Sequence, residues 1–301
     1  MPSSLQRAAC ALIAASGLLT LPARSVAADP AATNRVDTPP CAPVITAPGA
    51  TATSDCQLNG NANIRSWGEA ANADGLLRGL SGAEVRFEAV QRTASTDSRW
   101  LDALVWLGGA VPAQVVFEGQ LRGRFSVDIA RGSISPPGVE QGQVMAELQL
   151  RAGAAPAVTA AATRARDSTA GSGLWAEPVW QPLTLTLAWT PAAPGATLAY
   201  EQRLITRATA TNDWFRQGGG TVDAQADFRD GSGLVAVRWL DADGAELGDR
   251  VHWAWAHGVS PVPEPAAPAL MLAGGLLLAA RARRRRGGVS ARWPSARCRR
   301  P

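Results

Sequence analysis

The chain has 301 residues and no lysine; its 29 basic residues are all arginine, against 25 Asp plus Glu and 2 His, giving a formal charge of +4. That excess sits at the ends: residues 28–260 hold 18 arginines against 24 acidic residues, so the body is acidic and the net charge gives no support to a nucleic-acid partner. With 2 histidines and 4 cysteines, the chain has little material for imidazole-based metal sites or for nucleophile-and-base catalysis.

The N-terminus carries Arg7, an apolar run over residues 8–21, and then Ser25-Val26-Ala27 or Val26-Ala27-Ala28 as a small-residue cleavage site. This is the pattern of a secretory signal peptide over residues 1–27, and the run is too short to span a bilayer well. Residues 28–61 are rich in Pro, Ala, Thr and Asn, a composition that predicts an irregular lead-in. Cys41 and Cys56 lie within it and are the cysteines of the exported body. In an oxidising compartment they are expected to form a disulfide.

From about residue 62 the hydrophobic period becomes two, and residues 62–258 are expected to fold as one domain. Val85, Phe87 and Ala89 alternate with Glu84, Arg86 and Glu88; Phe125, Val127 and Ile129 alternate with Arg124, Ser126 and Asp128. The same pattern runs through 144–150, and through Leu183, Leu185, Leu187 and Trp189 against Thr184, Thr186 and Ala188. Such alternation predicts half-buried antiparallel strands. Further strands are expected at 99–107, 114–119, 197–207, 221–228, 234–240 and 250–256, separated by Gly- and Pro-bearing breaks. Residues 96–107 also read as a capped helix, but the turn signals at Gly108, Gly109 and Pro112 favour a strand. The fold class is therefore all-β, an antiparallel β-sandwich with a jelly roll as one form of it. Residues 152–173, mostly Ala, Thr, Gly, Pro and Arg, predict a long loop within it or a linker between two smaller sheets.

Catalytic motifs do not emerge. His252 and His257 are five apart, which sends them to opposite faces of a straight strand, so no metal site is assigned. The run Asp241-Ala242-Asp243-Gly244-Ala245-Glu246 suggests a calcium loop, but it lies between two strands, and Asp-Gly is a hairpin pair. No cofactor and no catalytic residue is assigned, and the chain is read as not an enzyme; a glycoside hydrolase, which needs two convergent carboxylates, ranks lowest. Eleven tryptophans against one tyrosine favour core packing, yet Trp253 and Trp255 share one strand face and are the candidate platform for stacking sugar rings. Trp100 and Trp106 share a face in the same way.

The C-terminal region has three successive parts. Val262-Pro263-Glu264-Pro265 lies in a proline-rich stretch that resists helix and sheet, which leaves an extended segment for a processing enzyme. Residues 266–280 carry no charged or hydrogen-bonding side chain and as a helix would be about 22 Å long, short for a bilayer core of roughly 30 Å. Arg281, Arg283, Arg284, Arg285 and Arg286 then favour the cytoplasmic side, as membrane-stop residues.

This order of signature, apolar helix and arginine cluster resembles the C-terminal sorting signal of PEP-CTERM proteins. The matching residues are 262–265, the run to 280 and the arginines to 286, and the departure is a further basic tail, 287–301. The body also resembles, loosely, the β-sandwich regions of such proteins, through residues 99–104, 117–123, 226–228 and 241–244. The resemblance implies export from a Gram-negative cell and a precursor held transiently in the inner membrane by a single helix. It also implies processing by an exosortase as partner and a final place on the cell surface or in the extracellular matrix. The expected role is structural or adhesive, with a carbohydrate-binding module for exopolysaccharide as the alternative.

Overall fold

The computed structural model describes residues 33–257, apart from 48, 59, 74, 133–138 and 214–218. The expected signal peptide over residues 1–27, the Val262–Pro265 motif, the apolar run and the arginine cluster Arg281–Arg286 therefore lie outside the described residues. Among the described residues no helix is long and apolar enough to cross a membrane.

The described chain is built from strands and two short 3-10 turns. In order the strands are β1 (Asn34–Asp37), β2 (Val44–Thr46), β3 (Ala52–Leu58), β4 (Asn61–Ala73), β5 (Leu76–Arg86), β6 (Val90–Gly109) and β7 (Gln114–Ala130). There follow β8 (Glu140–Ala152), β9 (Val158–Asp167), β10 (Gly173–Ala188), β11 (Thr197–Asn212), β12 (Thr221–Asp227), β13 (Ser232–Leu240) and β14 (Val251–Trp255). One sheet has the order β2-β1-β6-β11-β8-β9, with β14 also on β6; the other has β10-β7-β12-β5-β4-β3, with β13 bridging β5 and β7. Every pairing is antiparallel, and the two sheets form the expected sandwich.

Side-chain alternation fixes the core. Along β6 the buried positions are the even ones, from Ala94 through Trp100 and Leu104 to Trp106, and along β7 they are the odd ones, including Phe117, Leu121, Phe125 and Ile129. These meet Leu148 and Leu150 of β8 and Tyr200 and Leu204 of β11 in one continuous cluster. Aromatic rings fill the space between the sheets: Phe117 stacks on Tyr200 at 4.8 Å, and Phe125 meets Phe228 edge-on at 5.5 Å. Gly123 makes room for Phe228, since a Cβ there would lie 2.4 Å from the ring.

A polar tie crosses this core. Gln202 of β11 is fully buried; its Nε2 donates to the Gly75 carbonyl at 2.5 Å, and its Oε1 accepts from the Leu234 amide at 2.9 Å and the Tyr200 hydroxyl at 3.4 Å. It satisfies backbone groups of the opposite sheet that are out of reach of water. Nearby, Thr96, Thr206 and Ser81 form a second buried hydroxyl cluster across the sheets.

Three sequence expectations are corrected here. The lead-in 28–61 is not irregular: β1 pairs with β6 and β3 pairs with β4, so it closes part of both sheets, burying Val36, Ala52 and Cys56. Within 152–173, β9 pairs with β8 from Gln141↔Asp167 to Leu150↔Val158, so this stretch is an edge strand of the same sandwich. Its inward residues, Ala160 and Ala162, bury too little apolar area to mark a strand by contrast. The expected strand at 84–89 ends at Arg86; Phe87 has φ 57° and is 54% exposed. Residues 96–107 are strand, as the turn signals favoured.

Replacing Gln202 by Leu is expected to leave the Leu234 amide and the Gly75 carbonyl buried without partners. Chemical denaturation should then show a loss of about 2–4 kcal/mol; an unchanged midpoint would mean that the tie contributes no net stability.

Candidate functional site

The cysteine pair is bonded as expected: Cys41 and Cys56 form a disulfide with Cα atoms 5.9 Å apart. It staples the β1–β2 region to β3 at the start of the sandwich.

The tryptophans expected to stack on sugars do share a face, but it is the inner one. In the β14–β6 ladder Trp253 lies opposite Trp106 and Trp255 opposite Leu104, both inward positions of β6. Trp255 is only 4% exposed, with Trp100 at 5.2 Å and Tyr200 at 5.6 Å. Trp253 packs partly buried between Trp239 and Trp255, at 5.7 and 5.6 Å. The Trp253–Trp255 platform is therefore corrected to a core cluster, and Trp100 and Trp106 are buried with it.

The exposed indole is one the sequence did not single out. Among the described tryptophans, Trp180 on β10 is the one left open, at 64% exposure. It sits on the outer face opposite Arg122, and its Nε1 donates to Gln120 Oε1 at 3.3 Å. Trp67 also faces outward, on β4, but its ring lies flat over Gly82, where a Cβ would come within 2.2 Å of it. The Arg65 guanidinium lies 5.1 Å from its centroid and is held by Asp55, so Trp67 is half covered.

The same outer face carries three carboxylates in one register row. Asp223 of β12 is opposite Glu84 of β5 on one side and Asp128 of β7 on the other. Glu84 accepts from Arg86 Nε at 2.5 Å, whereas Asp223 has a buried Oδ1 without a hydrogen bond. Burial first, then the charges of Glu84 and Asp128, pushes the Asp223 carboxyl up to about 6. A raised carboxyl beside two others is the electrostatic pattern of an acid–base pair, but this row lies on the face of a sheet and lines neither cleft described next.

Two clefts open on the other sheet. A shallow one of about 340 Å³ lies over the adjoining ends of β6, β8 and β11, with Leu101, Ala103, Arg151 and Glu201 in its lining. At its rim His257 Nδ1 is 2.7 Å from Asp102 Oδ1, which also accepts from the amides of Ala103 and His257 at 2.7 and 3.2 Å. The Asp102 side chain is wholly buried, and its Oδ2 makes no hydrogen bond. This pair, 155 residues apart, was not predicted. The second cleft, about 740 Å³, is polar, lined by Gln91, Gln141, Gln143, Thr209, Thr211 and Asp167 among others.

No group of three or more His, Cys, Asp or Glu positioned to hold a metal occurs among the described residues. The Asp241–Glu246 run is a turn: Asp241 Oδ1 accepts from the amides of Asp243 and Ala245 at 3.0 and 2.8 Å, which uses the carboxylate to hold the hairpin. His252 and His257 do not converge; His252 is exposed on β14, and His257 is engaged with Asp102.

Neither a protein-family model nor a curated protein matches the chain. Among solved structures, it is similar to TmCBM61 in complex with β-1,4-galactotriose, at 11% identity and a TM-score of 0.15, covering 65% of this chain and 88% of that one. It is also similar to the enzymatically active domain of tailspike protein 4 of bacteriophage CBA120, at 10% identity and a TM-score of 0.15, covering 67% of this chain and 19% of that one. Likeness this slight does not say what the chain binds or catalyses.

Two outcomes follow from these side chains. The folded protein holds the Asp223 proton up to about pH 6, whereas the unfolded chain releases it near 3.8, so stability falls as pH rises between these values. Asp223→Asn is expected to raise stability at pH 7 by on the order of 2 kcal/mol and to have little effect at pH 4; thermal melts showing equal effects at both pH values would contradict this origin. His257→Ala leaves the buried Asp102 carboxylate with backbone donors alone, and denaturant melts should lose about 1–3 kcal/mol.

Proposed function

We propose that this chain is an exported β-sandwich of the cell surface or extracellular matrix, sorted by an exosortase through its C-terminal segment and structural or adhesive rather than catalytic. The observation that carries this reading is the division of the chain. Among the described residues a main core cluster, joined by a small second cluster at Val36, Ala52 and Ala70 in the disulfide-stapled N-terminal strands, has Trp255 as its last buried member. The Val262–Pro265 signature, the apolar run and the arginines follow it in the sequence. A disulfide accords with an oxidising destination. The signal peptide starts export, the apolar helix halts it with Arg281, Arg283, Arg284, Arg285 and Arg286 on the cytoplasmic side, and cleavage near Pro263–Pro265 releases the body.

Mass spectrometry of the surface or matrix fraction, in a host carrying an exosortase, is expected to find protein that ends before residue 266. Recovery of intact 281–286 from that fraction would overturn the reading. Replacing Pro263, Glu264 and Pro265 by alanine should trap the precursor in the inner membrane, and unchanged release would point to another protease or a plain anchor.

A glycan-binding module is the second reading, and one observation favours it: Trp180 stands exposed on a rigid sheet face with its N–H already engaged, which leaves the indole plane free. This replaces the Trp253–Trp255 platform and keeps exopolysaccharide as the partner class.

A further inference from the structure

The surroundings of Trp180 carry more than an aromatic plane. Directly across the β10–β7 ladder lie Arg122, opposite Trp180, and Arg124, opposite Pro178. Both arginines are exposed, and neither side chain makes a hydrogen bond or ion pair among the described residues. The nearest register partner of Arg124 on β12 is Asp227, but Arg229 already holds that carboxylate in a two-bond fork at 3.0 and 2.7 Å. This contrasts with Arg35, Arg65, Arg99, Arg164, Arg203 and Arg238, each of which is paired with a carboxylate. Two guanidinium groups without a hydrogen bond or ion pair, Arg124 acting on Asp227 only through its charge, therefore stand beside Trp180, the exposed indole among the described tryptophans. Gln120 completes the set, with its carbonyl oxygen taken by the indole and its amide nitrogen unbonded among the described residues.

From this arrangement, and resting on the glycan-binding reading, we infer that the outer face at Trp180, Gln120, Arg122 and Arg124 is a binding site for an anionic polysaccharide, with carboxylated sugars as its ligand class. The indole takes the apolar face of a pyranose ring. A guanidinium fork takes a carboxylate through two parallel hydrogen bonds, a geometry suited to the planar uronate group. Cross-strand neighbours are roughly 5 Å apart at Cβ, so stacking plane and cation lie within the length of one sugar residue.

Other occupants fit less well. A second copy of the chain adding a strand at this edge meets Pro178 and Pro182 on either side of Trp180; prolines supply no N–H, and edge strands use them to block pairing. A nucleic acid carries a charge every 1.7 Å or so and needs many cations along its track, which two arginines on an acidic body do not offer. A uronate polymer carries one charge per sugar, matched to a small site.

The test uses the full chain in mild detergent, titrated with polygalacturonate, with a neutral galactan and with single-stranded oligonucleotide, by affinity electrophoresis and calorimetry. Polygalacturonate is expected to bind, and more weakly as salt rises. Trp180→Ala should weaken binding about tenfold or more, and the double variant Arg122→Gln, Arg124→Gln should weaken it and flatten the salt dependence. Both are surface changes, and thermal melts should match the parent. If the galactan binds equally well and only Trp180→Ala matters, the anionic class is overturned while the glycan reading stands. If neither polysaccharide binds, or Trp180→Ala binds as well as the parent, the site and the glycan reading at Trp180 both fall. Preference for the oligonucleotide also overturns the inference.

Discussion

Because side chains on a strand alternate between faces, the parity of each residue within its ladder decides whether it packs the sandwich or meets solvent. The rest of this structure depends on that constraint. Even residues of β6, β8 and β11 and odd residues of β7 point into the space between the sheets, and the aromatic rings of Trp100, Phe117, Phe125, Tyr200, Trp239 and Trp255 fill it. A slip of one residue in these ladders would bring neighbours such as Arg99, Glu118, Arg124, Glu201 or Arg238 inward in place of the rings. The buried Gln202, Thr96 and Thr206 add directional bonds to this packing, so the mutual position of the sheets is set by hydrogen bonds as well as by apolar area.

The same parity assigns the outside. Sheet faces turned away from the core are occupied by arginines and carboxylates that pair across strands, such as Arg203 with Asp97 and Arg99 with Glu201. Exposed pairs of this kind stabilise weakly, but they cancel charge and leave a neutralised surface. Several exposed arginines make no side-chain hydrogen bond or ion pair among the described residues, Arg78, Arg151 and Arg207 among them; Arg122 and Arg124 are the ones beside Trp180, and on the same face Asp223 lies between two other carboxylates. The two arginines offer attraction to an anion, whereas burial and the neighbouring carboxylates raise the pKa of Asp223.

Much of this was legible in the sequence, and the failures have physical reasons. The alternation in 125–129 and 183–189 marked strands because large apolar residues face charged or polar ones. β9 escaped because its inward residues are alanines, flanked by alanine and threonine, and β1 to β3 escaped because short strands among prolines leave few periods to see. Trp253 and Trp255 were correctly placed on one face, but periodicity alone does not say which face is inside; the pairing of β14 with inward positions of β6 decides it. Trp180 was passed over because a lone tryptophan between prolines has no periodic partner, and the His257–Asp102 contact because nothing in the sequence links residues 155 apart. The proposed sorting signal at 262–286 is read from the order of its residues alone and lies outside the described residues.

The central claim is that Trp100, Trp239 and Trp255 are packed in the interior while Trp180 is the exposed reader. Indole N–H resonances followed by NMR during titration with polygalacturonate test it most directly. The account predicts that the Trp180 signal, assigned by its loss in Trp180→Ala, shifts progressively while those of Trp100, Trp239 and Trp255 stay in place. Perturbation of the Trp253 and Trp255 signals with Trp180 unmoved would contradict it.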